Sequence, residues 1–208
     1  MELLQPHFST LTELDLGYNN SMTSAMAQEL LSSCSSLFKF RAPRIEALDI
    51  VEGKPWMCLR IQYLSAGIHF DPSTIKVLQP LIFDQLSKLT RLRVLAVGHV
   101  SEIAFQETME LRLESGLGKL SSLRLLRCIG FSNTKQMMGK QEIEWMLKHW
   151  KALERIHGQS NAYDANINDE METRLIHCAI RTMKMMKRVM YVQYSDFHEI
   201  GILLKLVL

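Results

Sequence analysis

Nine residues near the start of the chain restrict its fold more than any other feature. Leu11, Leu14, Leu16 and Asn19 stand at the spacing leucine-x-x-leucine-x-leucine-x-x-asparagine. The spacing returns in Leu37, Phe40, Ala42 and Ile45, then in Ile61, Leu64 and Ala66. It returns again in Leu92, Leu95, Val97 and Val100, and in Leu123, Leu126, Cys128 and Phe131. Leu153 and Ile156 open a sixth match, where Gly158 replaces the last apolar residue. The first positions (11, 37, 61, 92, 123 and 153) lie 24 to 31 residues apart. Lead-in residues support the register. Cys34 precedes Leu37 by three, Cys58 precedes Ile61 by three, and Leu86-Leu89-Leu92 is echoed by Leu117-Leu120-Leu123.

Self-similarity of this period is the signature of a leucine-rich repeat, in which a short strand and a returning segment form one unit. Alternation explains the strand. In L-x-L the two leucines point to one face and the residue between them to the other. The returning segment must cover the apolar side, and Ser21 to Ser33 suits a helix, with Ala25, Met26, Leu30 and Leu31 near helical spacing. Ser73 or Thr74 is the expected cap of a second helix, which Pro80 is expected to break or kink. Ile45 to Pro55 fits either a short extra strand or a unit without a helix. The expected fold is α/β: a solenoid, or horseshoe, of about six repeats over residues 1–160. Its parallel strands line the concave side. Met171, Leu175, Cys178, Met183, Met186 and Met190 follow helical spacing, so residues 161–190 are read as a capping helix. Residues 191–208 carry no readable period.

Composition adds little to the functional question. The chain has 208 residues, 24 basic and 22 acidic, for a net charge of +2, which does not call for a nucleic-acid partner. Its four cysteines form no CxxC pair, and the N-terminus has neither a basic region nor an apolar core of a secretory signal. No apolar run approaches the ~18 residues of a membrane span. Free thiols, an intracellular (cytoplasmic or nuclear) setting and no membrane partner are the expectations.

Catalytic signals are weak. Gly116-x-Gly118-Lys119 lacks the Ser or Thr of a phosphate loop and leads into a strand, so it reads as a turn. His198-Glu199 has Ile202 where a zinc protease carries its second histidine. His149 and His157 lack the tight spacing and third donor of a metal site, and Cys34 and Cys58 suit small core thiols. Trp145 and Trp150 read as packing of the last unit, and Arg181, Lys184, Lys187 and Arg188 as a solvated helix stripe. No enzyme activity, cofactor or metal is expected. Binding is assigned instead to residues that point outward from the strands: Glu13, Asp15, Lys39, Arg41, Tyr63, Ser65, Arg127, Arg155 and His157. Their order makes that face bipolar, acidic first and basic after.

Several stretches resemble fungal F-box/leucine-rich-repeat proteins. These are FDQLSKLTRLRVLAVGHV (83–100), LRLESGLGKLSSLRLLRCIGF (111–131) and EIEWMLKHWKALERIHGQSN (142–161), with KPWMC (54–58) and SSCSSLFKFRAP (32–43). The resemblance covers roughly residues 11–182. It implies a ribonuclease-inhibitor-like horseshoe and service as the substrate-recognition part of an SCF-type ubiquitin ligase. In that family an N-terminal F-box binds the ligase's adaptor and the repeats bind a protein substrate. No such module is legible before Leu11, so ligase subunits are expected partners only where an F-box precedes. A free-standing repeat scaffold or inhibitor is the alternative.

Overall fold

The computed structural model describes residues 5–19, 21–98, 108–132, 134 and 136–158. The capping helix expected over 161–190, its basic stripe, the tail 191–208 and Val100 lie outside the described residues.

The fold is mixed α/β around one six-stranded sheet. The strands are β1 (Glu13–Asp15), β2 (Lys39–Glu46), β3 (Tyr63–His69), β4 (Val94–Ala96), β5 (Cys128–Gly130) and β6 (Arg155–His157). Every strand pairs in parallel with the next one in the chain, in the order β1-β2-β3-β4-β5-β6. Between them run α1 (Ser24–Ser33), α2 (Ala47–Glu52), α3 (Ile75–Ser87), a 3-10 helix (Leu117–Ser122) and α4 (Lys140–His149).

The register explains the leucine spacing. Leu14, Phe40, Leu64, Leu95, Ile129 and Ile156 face one another strand by strand. This inward row joins Leu30 and Leu31 of α1, Ile82 and Phe83 of α3 and Met146 of α4 in one core. The row is buried in the middle and partly exposed at its two ends, Leu14 and Ile156, which among the described residues have a neighbouring strand on one side only. Ahead of each strand from β2 to β6 the same turn recurs. The amide of Leu37 donates to Cys34, Ile61 to Cys58, Leu92 to Leu89, Leu126 to Leu123 and Leu153 to Trp150, at 2.9–3.2 Å. The lead-in side chains Cys34, Cys58, Leu89, Leu123 and Trp150 are all buried.

That turn corrects the fifth match. Its strand is built on Leu126, Ile129 and Phe131, with Leu123 as lead-in, three residues later than the spacing alone suggested. Leucines at 117, 120, 123 and 126 fit either phase. Bulk decides between them: Ile129 and Phe131 fill the core completely, whereas Cys128 faces outward on the sheet. The same shift explains Gly158. It has φ +122° and lies against the ring of Phe131, where a side chain has no room.

Three local expectations also change. Ile45 to Pro55 is neither an extra strand nor a helix-free unit: β2 runs on to Glu46 and turns directly into α2. Pro43 sits where the β2–β3 register slips between Ala42 and Arg44, since proline cannot donate to the ladder. Helix α3 continues through Pro80 rather than ending there. Its entry is held by Asp71, whose carboxylate accepts from the Ser73 amide at 2.8 Å, while Thr74 donates its hydroxyl to the Asp71 carbonyl. The Ser73 hydrogen bonds hold the Asp71 carboxyl below its ordinary pKa. The first helix begins at Ser24, three residues after the Ser21 start read from the sequence, with the Thr23 side chain accepting from the Met26 amide as its cap.

Candidate functional site

The outward row of the sheet is the candidate site. In register it reads Asp15, Arg41, Ser65, Ala96, Gly130 and His157, with Glu13, Lys39, Tyr63, Val94, Cys128 and Arg155 one step earlier on the same face. No residue of a described helix lines this side. Instead it holds a shallow trough of about 420 Å³. The trough floor is small: Ser65, Ala96, Gly98, Gly130 and Ser132, with Val94 and Cys128 beside them. Arg41 and Tyr63 bound it on one side, Arg155 and His157 on the other. Neighbouring strands are ~4.8 Å apart, so β3 and β6 stand ~14 Å from each other.

Of the nine residues named from sequence, eight lie on this face. The exception is Arg127. Its amide donates to Arg93 at the strand entry, in line with Gln62 and Phe38, so its side chain belongs to the rim. There it reaches Glu154 at 3.9 Å. The three-residue slip of the fifth match is the cause, because the face positions of β5 belong to Cys128 and Gly130. Glu13, Asp15 and Lys39 lie on the face beyond the trough, whereas Arg41, Tyr63, Ser65, Arg155 and His157 line it.

Charge is unevenly compensated. Lys39 pairs with Glu13 at 3.5 Å and Arg41 with Asp15 at 3.7 Å, each across β1 and β2. Such partly exposed pairs are worth at most ~1 kcal/mol. Arg41 is further held by Tyr18, with its guanidinium 4.8 Å from the ring centroid. A long 3.5 Å hydrogen bond to the Tyr18 hydroxyl is the largest influence raising its pKa, opposed by burial and aided by Asp15. Gly17 makes this possible, since the Arg41 side chain lies where a Cβ of residue 17 would be. The buried Nε of Arg41 has no hydrogen-bond partner. Arg155 has no ion-pair partner among the described residues. Burial pushes the Cys128 thiol above its ordinary pKa against the opposing pull of Arg155, which keeps it protonated at neutral pH.

The middle of the face was missed by a search for polar outward residues. Val94 and Ala96 were readable from the fourth match, being the residues on either side of Leu95. Cys128 and Gly130 required the corrected phase of the fifth. Gly98 and Ser132 follow the strands, and there the two backbones approach so closely that a Cβ on residue 98 would overlap Ser132.

Lys119 of the Gly-x-Gly-Lys turn is held by Asp84 at 2.6 Å and by the Pro80 carbonyl at 3.2 Å, and Gly116 takes φ +107° before the 3-10 helix. Among the described residues no group of three or more His, Cys, Asp or Glu is placed to hold a metal ion. Cys34, Cys58 and Cys128 are buried free thiols. Burial raises the Cys58 pKa to about 12. Trp150 is buried and donates its indole N–H to the Leu120 carbonyl at 3.0 Å, with Trp145 edge-on to it at 5.4 Å. No described helix is long and apolar enough to cross a membrane.

No family model matches the chain, and no curated protein matches it. Among solved structures it is similar to a tropomodulin C-terminal domain from Caenorhabditis elegans, with a TM-score of 0.40 and 10% identity. That likeness covers 90% of this chain and 97% of the other. At that score the likeness carries no weight for fold or function.

Proposed function

We propose that the chain is a leucine-rich-repeat solenoid of six units that works as a protein-binding module through the outward face of its sheet. One observation carries the reading: the inward row packs into the core, partly exposed only at its end strands, while no described helix covers the outward row, which is exposed or half-buried on every strand but β5. An open, pre-formed face of mixed polar and small residues suits recognition rather than catalysis, because its backbone groups are tied up in the sheet and side chains do the reading. The buried free thiols fit a reducing compartment inside the cell.

The test compares two substitutions. Ala96→Tyr fills the trough with a residue that suits strands. Lys151→Glu, on an exposed turn away from the face, is the control. Partner capture by the full chain is expected to fall at least ~10-fold with Ala96→Tyr and to persist with Lys151→Glu, both proteins melting cooperatively. Capture that ignores Ala96→Tyr would move the binding surface elsewhere.

The resemblance of residues 83–100, 111–131 and 142–161 to F-box/leucine-rich-repeat proteins supports a finer version. In it the module recognises substrates for an SCF-type ubiquitin ligase. Co-purification of ligase subunits with the full-length gene product is the expected result. Their consistent absence favours a free-standing scaffold or inhibitor.

A further inference from the structure

The trough is lined by side chains of one sign only. Arg41 and His157 lie at the same level on opposite walls, Arg155 lies one step earlier, and no Asp or Glu lines it. Arg41 keeps its charge beside the trough while reaching Asp15 at 3.7 Å and the Tyr18 hydroxyl at 3.5 Å, and a pair that long neutralises it only in part. Arg155 is exposed and has no ion pair among the described residues. The floor between the walls carries no charge and no large side chain.

From this charge and shape we infer that the occupant is an acidic protein segment, lying along β4 and β5 with carboxylates turned to Arg155 and Arg41. The inference rests on the binding role proposed for the face and adds the chemistry of the partner. Three features favour it. Arginine offers a planar fork matched to carboxylate, and no described residue pairs with that of Arg155. The small floor lets a main chain come close, and the ~14 Å between β3 and β6 leaves room for a single segment rather than a second sheet. Glu13 and Asp15 stand just past Arg41. A polyanion continuing across the sheet would run into them, which disfavours a nucleic acid and favours a short acidic stretch.

The experiment is a selection of random displayed peptides on the full chain, with elution scored against four variants. Peptides rich in Asp and Glu are expected to emerge. Their affinity should fall at least ~10-fold with Arg155→Glu and with Ala96→Tyr or Ser65→Tyr, and change less than twofold with Lys151→Glu. Ser65→Tyr serves if Ala96→Tyr does not fold. Affinity should weaken with added salt.

Neutral or basic peptides that depend on residues 65 and 96 but not on Arg155 would overturn the acidic assignment and leave the open-face reading standing. No peptide sensitive to either tyrosine substitution would overturn both. Tighter binding of a uridine oligonucleotide than of any peptide, lost with Arg155→Glu, would make the partner a nucleic acid. Self-association abolished by Ala96→Tyr would make it a second copy of the chain. Either result overturns the inference.

Discussion

Leu95 and Ala96 are consecutive on β4, yet they answer to different constraints. Leu95 belongs to a row whose six members touch the helices and one another, and its solvent exposure is zero. Ala96 belongs to a row that no described helix covers and that lines the trough from Arg41 to His157. Substitution in the first row changes whether the chain folds. Substitution in the second changes what the folded chain can hold. A period of two along the strand separates the two roles by one residue.

The comparison breaks if the rows do not differ in stability. Leu95→Ala is expected to lose ~2–5 kcal/mol in chemical denaturation through lost burial and a cavity. A loss below about 1 kcal/mol would mean that the inward row is misplaced. Gln136→Leu tests a polar part of the same interior. The buried amide of Gln136 donates to the Met109 carbonyl and accepts from the Leu111 amide, each at 2.8 Å. Its removal leaves both backbone groups unpaired, so a loss of ~1–3 kcal/mol is expected.

Alkaline titration sharpens the inward side further. The Cys58 pKa is raised from 9.0 to about 12, so the folded state holds this proton more tightly than the unfolded chain. The stability it contributes is complete below pH 9 and is lost as the pH rises towards 12. Its share of the slope is at most about 1.4 kcal/mol per pH unit. Denaturation of Cys58→Ala between pH 9 and 11 should be less pH-dependent than that of the parent. An identical slope would show that Cys58 is not shielded from solvent. The smallest effect belongs to the outward row: Arg155→Ala should leave stability within about 0.5 kcal/mol. A cooperative transition lost on this change would place Arg155 in the structure rather than on its surface.

How much of this was legible follows the same division. The inward row could be read almost whole, because burial demands apolar residues at fixed spacing and Leu14, Phe40, Leu64 and Leu95 supply them. The exception is instructive. From Leu117 to Leu126 leucine recurs every third residue, and a three-residue period cannot fix the phase of a motif that itself begins with a three-residue step. Only packing of Ile129 and Phe131 settles it. Local rules also lost to tertiary context at Pro80, where α3 lies against the core and continues through a residue that would stop an isolated helix. The outward row was legible in part. Arg41, Tyr63, Arg155 and His157 stood out as polar residues between apolar ones. Ala96, Gly98 and Gly130 did not, since a small residue matters there for the space it leaves, and space is not written in any single position.

Among the described residues each strand pairs with the strands before and after it in the chain, and β3 adds one isolated bridge from His69 to Thr108. A unit could therefore be duplicated or deleted without re-threading any other, provided the new neighbours keep the turn that Cys34, Cys58, Leu89, Leu123 and Trp150 share. The length of the sheet, and with it the distance between Arg41 and Arg155, is thus a quantity that recombination can adjust in steps of one strand. Two chains differing by one central unit would hold the same two cations ~5 Å farther apart, and would measure their partners with a different ruler.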